Sequence, residues 1–338
     1  MPIQLLAGMC PALTSEILMQ LTSKGIKQVI DFVSMDPEKI TALCGLPFKK
    51  VLSIRRVLLA QYSAFPVNGL DLYNEALSTL AVLSTSCSNL DEILDCGVYT
   101  GEVTEFVGVS VSGKTQLCQS LTIQVVGELE QNVVYIDTTG GWSVKRAADI
   151  TRTRFPQKQV SSVLSRIQLC QCYDIKELQE CLEQLQKSLH NQPDCFYSSL
   201  KLVVVDSVSA VLGSSFVSGT YVEGCSLLQS IGRRLNALAK DFAIAVIITN
   251  DMVSAASTTS TEFYSMKPAL GRCWTFVPSV RVVLEPDKEP CQLWECKYAD
   301  KSCSLFEPTI KAIVDKSVRS PRQSTLLKIT NAGVANGT

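Results

Sequence analysis

Gly108-Val109-Ser110-Val111-Ser112-Gly113-Lys114-Thr115 decides the fold. Its spacing fits G-x-x-x-x-G-K-[S/T], the phosphate-binding loop that joins a strand to a helix. The flanks agree: an apolar run from Glu102 to Val107 precedes it, and the spacing predicts a helix from about Gln116. Glycines let the backbone wrap phosphates with N–H groups pointing inward. A helix N-terminus adds positive potential. Lys114 reaches the outer phosphates, and the Thr115 hydroxyl joins a magnesium shell. Gly108 through Thr115, with Gln116 next, are the candidate nucleotide-binding residues, and ATP with Mg2+ the expected cofactors.

Further along, Lys201-Leu202-Val203-Val204-Val205-Asp206-Ser207 reads as a buried strand ending in a carboxylate. Asp206 is placed to hold a magnesium-bound water opposite Thr115. Other predicted strands are Asn132–Ile136, Ala243–Thr249 and Val280–Leu284. One predicted helix opens at the capping box Asp174-Ile175-Lys176-Glu177 and carries Ile175, Leu178, Leu182, Leu185 and Leu189 at steps of three and four. A second runs through Leu227, Leu228, Ile231, Leu235 and Leu238. Strands apolar on both faces, alternating with helices, mean a mostly parallel α/β sheet.

The sheet pattern occupies residues 83–338. Residues 1–60 read as a small separate helical domain. Asp36-Pro37-Glu38 starts a helix there, Gly45 stops it, and a last helix from about Phe48 to Gln61 has Val51, Ile54, Val57 and Leu58 on one face. This part carries seven basic and four acidic residues. Residues 61–82, with Pro66 and Gly69, read as a linker. Its aromatics Tyr62 and Phe65 either fold back on their own domain or anchor the linker on a neighbouring protein.

Composition narrows the function. The 338-residue chain has a formal net charge of −1, so any nucleic-acid contact must be local. One histidine, His190, excludes His-rich metal sites and makes His-dependent catalysis an unattractive reading. Fourteen cysteines without zinc spacing, no signal-peptide pattern and no apolar run near the roughly 20 residues of a membrane span point to a soluble intracellular protein with reduced thiols.

The stretch Val133-Val134-Tyr135-Ile136-Asp137-Thr138-Thr139-Gly140-Gly141 carries a more specific signal. Together with Ser84-Thr85, Leu90-Asp91, Gly97 through Glu105, Gly113-Lys114-Thr115-Gln116, Thr249-Asn250 and Lys267 through Arg272, it resembles the RecA-like recombinases of eukaryotes and archaea. Leu58 through Gly69, with Gly271 through Ser279, most resembles the D-type paralogue branch of the Rad-fifty-one recombinase family. The resemblance implies a RecA-type P-loop ATPase core with a mostly parallel twisted sheet, preceded by a small all-α domain. It implies a nuclear, and also cytoplasmic, role in homologous-recombination DNA repair. It also implies a hetero-oligomer with B-type, C-type and X-ray-repair-cross-complementing paralogues.

Against that family the chain departs in its hydrolytic apparatus and its DNA loops. Thr139 stands where the family places a water-positioning glutamate, and threonine is no useful base near neutral pH. Asp251 stands where the family places a phosphate-sensing glutamine, and its charge is unfavourable beside a phosphate unless magnesium or a base screens it. ATP binding with slow hydrolysis is therefore expected. The resemblance places DNA loops at about Val211–Gly224 and Asp251–Met266, which hold Glu223, Asp251 and Glu262 but no Lys or Arg. Tyr221, Phe263 and Tyr264 could stack on bases, but without a basic groove stacking gives weak affinity. Arg233 and Arg234, on the helix that follows, line a groove or lie on a plain exposed face. Residues 308–338 hold five basic residues against Asp315, and Ser317 through Arg322 reads as a mobile loop.

The expectation is a nucleotide-binding recombination mediator that helps a recombinase assemble on single-stranded DNA. The alternative is a self-sufficient DNA-dependent ATPase, which would need a water activator. A small-metabolite kinase would need an Arg-rich lid that the sequence lacks, and intact Gly108, Gly113, Lys114, Thr115 and Asp206 argue against a scaffold with a vestigial loop.

Overall fold

The computed structural model describes residues 4–62, 66–191, 196–212, 221–254, 266–287 and 308–337. The chain divides into two compact units, Met1–Ser78 and Thr79–Thr338.

The first unit is helical: α1 (Ser15–Ser23), α2 (Val29–Ser34), α3 (Pro37–Cys44), α4 (Phe48–Tyr62) and α5 (Gly69–Thr79). Asp36 caps α3 by accepting the Glu38 N–H at 3.0 Å, and Pro37 sits at the first helical position. Gly45 ends it at φ +65°, a conformation that favours glycine. The core collects Leu13, Ile17, Leu21, Phe32, Ile40, Val51, Ile54 and Leu58. Val57 leaves the predicted apolar face and is exposed, because burial along α4 follows 51, 54 and 58 at steps of three and four.

The stretch 61–82 holds more than a linker. Helix α5 forms there, its first turn capped by Asn68 Oδ1 accepting the Leu70 N–H at 2.9 Å. No residue of α5 is buried. Tyr62 packs partly on the helical core of its own unit, one of the two readings left open for it, and Phe65 lies outside the described residues.

The second unit is built on one sheet. A small antiparallel pair, β1 (Val82–Leu83) with β2 (Val98–Tyr99), precedes it. The sheet contains β3 (Val103–Gly108), β4 (Asn132–Asp137), β5 (Ile167–Gln171), β6 (Leu200–Asp206), β7 (Ala245–Ser254), β8 (Met266–Pro268), β9 (Val280–Pro286), β10 (Thr309–Lys316), β11 (Ser324–Thr330) and β12 (Gly333–Asn336). Their order is β12-β11-β10-β9-β3-β7-β6-β4-β5, with β8 on β7. Pairings from β9 to β5 are parallel, and those from β9 to β12 antiparallel.

Alternate residues of the central strands enter opposite cores, as the pleat requires. Phe106, Val133, Tyr135, Leu202, Val204, Ala245 and Ile247 face one layer; Val103, Val134, Ile136, Val203, Val205, Val246 and Ile248 face the other. The first layer holds α7 (Lys114–Gly127), with α6 (Ser88–Ile93), α8 (Val144–Arg154) and α9 (Val160–Leu164). The second holds α10 (Ile175–Asn191) and α11 (Tyr221–Phe242), whose predicted apolar stripes are buried or partly buried. The cap of α10 differs from the expected box in one bond: Asp174 accepts from Lys176 and Glu177, but Glu177 reaches back to the Tyr173 N–H. Among the described residues no helix is long and apolar enough to cross a membrane.

Sequence reading missed β5, an edge strand with mostly exposed, polar-rich residues, and β10 to β12. The predicted mobile loop at Ser317–Arg322 is anchored. Arg319 pairs with Glu102, stacks 3.7 Å over the Tyr99 ring, and Ser320 donates to the Ile93 carbonyl at 3.1 Å. Lys316 turns inward to the carbonyls of Thr275 and Pro278, so these two bases are engaged within the fold.

Two arginines of α8 fasten the β11–β12 hairpin. Arg146 donates to Gln116 of α7 at 2.9 Å and to the carbonyls of Thr330 and Asn331. Arg154 donates to the Ser120 hydroxyl at 2.7 Å and the Val334 carbonyl at 2.8 Å. Burial lowers the Arg154 guanidinium to about 10, which leaves it charged at neutral pH.

Candidate functional site

The carboxyl ends of four adjacent parallel strands build the site. Register pairs Gly108 of β3 with Asp251 of β7, and Asp137 of β4 with Asp206 of β6. In open α/β sheets this is the rim where ligands bind.

The loop leaving β3 is wound so tightly that its two glycines leave no room for an added carbon. A Cβ on Gly108 would lie 2.2 Å from Ser112 Oγ and 2.6 Å from the Leu284 carbonyl oxygen. A Cβ on Gly113, at φ +88°, would lie 2.3 Å from Cδ1 of Ile310. Val111, at the exposed tip, also takes a positive φ of 67°. Ser112 Oγ is buried without a hydrogen-bond partner, and Thr115 Oγ1 makes no hydrogen bond among the described residues. Both are consistent with a loop shaped to receive an oxygen-rich ligand.

Lys114 opens α7 and is buried. Its Nζ donates to the carbonyls of Gly108 at 2.8 Å and Val109 at 2.9 Å, and lies 3.0 Å from Oδ1 of Asp251. Asp251 is fixed in turn: Ser209 Oγ donates to its Oδ2 at 2.7 Å, and Ser207 Oγ lies 2.7 Å from Ser209 Oγ. The carboxylate that looked unfavourable beside a phosphate thus has its screening base, and that base is Lys114, the lysine of the glycine-rich loop itself. A phosphate reaching Lys114 must displace Asp251 or share the lysine with it. Asp251→Asn keeps the hydrogen bond with Ser209 and removes the charge. It is expected to tighten nucleotide binding by roughly tenfold, about 1.4 kcal/mol. Titration with a fluorescent ATP analogue checks this, and unchanged affinity would mean that the carboxylate does not oppose the ligand.

Asp206 is buried at the end of β6. Tyr135 donates to its Oδ2 at 2.8 Å and Thr249 to its Oδ1 at 2.6 Å. Burial, then the neighbouring Cys118 and Asp206, pushes the Tyr135 phenol well above its ordinary range, so it stays a donor. The hydroxyls orient the carboxylate and leave lone pairs on both oxygens. With the unengaged Thr115 hydroxyl this is a hard-oxygen donor set of the kind magnesium takes. Among the described residues no cluster of three His, Cys, Asp or Glu is placed to hold a metal, so phosphate and water oxygens would complete any shell.

Asp137, which sequence reading passed over, organises the loop after β4. Its Oδ1 accepts from the backbone of Thr139, Gly140 and Gly141, and its Oδ2 from Trp142. Thr139 Oγ1 lies 3.3 Å from the same Oδ1 as a donor. The side chain standing where a water-activating glutamate was expected spends its proton on Asp137. It offers no basic group to a water.

Beneath the rim lies a buried charged cluster. Glu105 of β3 meets Arg281 of β9 at 2.5 Å and accepts from Asn250 Nδ2 at 2.8 Å. Asn250 immediately precedes Asp251, so this cluster sets the strand end that carries the lysine's counter-ion.

The DNA-directed residues are less gathered. Arg234 lies 3.7 Å from Glu183 of α10, and exposed Arg233 donates to the Gln229 carbonyl of its own helix. Residues 213–220 and 255–265, including Phe263 and Tyr264, lie outside the described residues; Tyr221 begins α11.

Comparison with known proteins agrees with this geometry. A family model described as Rad51 matches residues 77–320, and one described as RAD51D, N-terminal domain, matches residues 1–61. The chain is 43% identical over 280 residues to DNA repair protein RAD51 homolog 4 of Bos taurus, covering 82% of this chain and 84% of that one. It is 42% identical to the protein of the same name in Mus musculus, covering 82% and 83%. It is 29% identical to DNA repair protein RAD51 homolog 2 of Homo sapiens, covering 88% and 85%.

Proposed function

The chain belongs to the Rad51 family, and from that premise we propose that it is an ATP-binding mediator subunit in homologous-recombination repair. It joins a hetero-oligomer of recombinase paralogues of the B, C and X-ray-repair-cross-complementing types. In the nucleus it assists assembly of the recombinase on single-stranded DNA. Rad51-family domains bind ATP. The observation that carries the mediator reading is the pairing of an intact phosphate cradle with a disarmed hydrolytic apparatus: Lys114 held by Asp251, and Thr139 held by Asp137.

In this reading Gly108 through Gln116 hold the nucleotide, with Lys114 on the outer phosphates, while Thr115 and Asp206 hold magnesium. The ion supplies charge neutralisation to the phosphates when bound. Hydrolysis is slow because Thr139, whose hydroxyl is turned to Asp137, offers no base to an attacking water. Nucleotide bound only to the folded or assembled state then favours that state. The two units, Met1–Ser78 and Thr79–Thr338, take separate tasks in this reading, the second for nucleotide and the first for partners.

The partner surface is assigned to the end of the helical unit. Leu70, Tyr73 and Leu77 of α5 are exposed at helical spacing, and Leu72 is exposed beside them. Tyr62, half-buried at the end of α4, and Phe65 flank this helix in sequence. DNA contact comes mainly through the assembled complex, since the sequence of the two DNA-directed segments is poor in Lys and Arg.

The test measures ATP binding and phosphate release on the same purified chain, with and without single-stranded DNA, followed by pairwise capture of each paralogue. Tight binding, little release and capture weakened by Leu70→Ser with Leu77→Ser are expected. Fast DNA-stimulated release by the chain alone would overturn the mediator reading in favour of a self-sufficient ATPase. Capture insensitive to the α5 changes would move the partner surface elsewhere.

A further inference from the structure

Two thiols on separate elements lie within reach of a covalent bond. Cys273 Sγ is 2.9 Å from Cys225 Sγ, across 48 positions of sequence. Cys225 lies in the first two turns of α11, and Cys273 in the short 3-10 turn Arg272–Trp274. A disulfide needs about 2.05 Å between sulfurs, so closure takes a shift of less than about 1 Å. Both side chains are partly exposed, which gives a small oxidant access.

The surrounding packing keeps the two elements together. A Cβ on Gly232 of α11 would lie 2.5 Å from Cγ2 of Val277, so helix and turn meet at glycine distance. One turn further, Asn236 Nδ2 donates to the Val277 carbonyl at 3.2 Å. Trp274, beside Cys273, is buried in the core that α11 shares. The thiols are therefore the partly exposed end of a contact fixed at its other levels, which makes the pair pre-organised rather than a chance encounter.

We infer that Cys225 and Cys273 form an oxidation site that closes to an intramolecular disulfide under a peroxide. The step balances. One thiolate attacks a peroxide oxygen, the O–O bond breaks, and a sulfenic acid forms with loss of water. The second thiolate displaces the sulfenic hydroxyl as water, forming the S–S bond. Two thiols and hydrogen peroxide become one disulfide and two waters, and a small dithiol reverses it. The bond ties the head of α11 to the turn after β8. This site stands independently of the nucleotide reading.

The test oxidises the full-length chain with a small excess of hydrogen peroxide, alkylates the remaining thiols and digests with trypsin without reductant. Cleavage places Cys225 in peptide 202–233 and Cys273 in peptide 273–281, each with no other cysteine. The expected product is these two joined, two hydrogens lighter than their sum and separated by dithiothreitol. Oxidation should also raise the unfolding midpoint by roughly 5–10 °C, reversibly. Cys273→Ser should abolish both effects. Alkylated Cys225 and Cys273, at peroxide levels that already oxidise other cysteines of the chain, would overturn the inference. The peptide measurement on the unaltered chain decides it even where the variant folds poorly.

Discussion

Lys114→Ala is expected to lower ATP affinity by roughly two orders of magnitude, with the fold retained. The first part of the loss is direct. Charge-assisted hydrogen bonds to phosphate contribute about 1.5–3 kcal/mol, and alanine supplies none. The second part comes from Asp251. In the wild type its carboxylate is matched by Lys114 at 3.0 Å; in the variant it faces the phosphates unmatched. The two parts predict a specific coupling. Asp251→Asn should improve nucleotide binding by more in the Lys114→Ala background than by its roughly tenfold gain in the wild type, so the two changes should not add. Equilibrium titration of the four proteins checks this. Strict additivity would show that the pair does not act as a unit at the phosphate.

Glu105→Ala is expected to destabilise the second unit by about 3–5 kcal/mol. Glu105 is 0% exposed and its partner Arg281 8%. Truncating the acid strands a buried guanidinium between β3 and β9 without its counter-charge. Asn250 loses its acceptor in the same change. Replacing both charges, Glu105→Leu with Arg281→Met, removes the stranded group and should restore most of the stability. Chemical denaturation of the full chain is the measurement. A change below about 1 kcal/mol for the single variant would mean that Arg281 finds solvent or another acceptor. Because Asn250 neighbours Asp251, the single variant should also shift nucleotide affinity.

These two clusters show where the sequence was legible. The phosphate loop was readable because its function needs glycines and a lysine at fixed spacing, all local in the chain. The central strands were readable because burial on both faces leaves a continuous apolar run. The C-terminal strands β10 to β12 were not, since their Lys311, Lys316 and Lys328 and their half-exposed faces resemble a basic tail. The helix α5 hid behind Pro66 and Gly69, which mark where it starts rather than an absence of helix. Lys114 with Asp251, and Glu105 with Arg281, are separated by more than a hundred positions, so only strand order brings them together. A signal was nevertheless present: Glu105 is the single charge of β3, and Arg281 is set among the apolar residues Val280, Val282, Val283 and Leu284 of β9, which is a request for a partner. Asp137 gave no such sign, because its work is to gather the backbone N–H groups of its own loop.

The arginine clamp of α8 on the last hairpin also dictates when this protein can be finished during synthesis. Val334 donates its N–H to Ser120 of α7 across 214 positions, and Arg154 reaches the Val334 carbonyl across 180. Ile310 and Ile329 close over Gly113 from strands encoded just as late. A chain emerging from the ribosome carries its phosphate loop long before it carries the surface that packs against it. The loop's late-encoded contacts thus arrive long after the loop itself, and until then the residues of α7 that meet them lack their packing partners. Long-range closure of this kind is slow and exposed to aggregation. An early stop near residue 320 would leave every motif of the cradle translated but would remove β11 and β12, and with them Ile329 and the carbonyls that Arg146 and Arg154 hold.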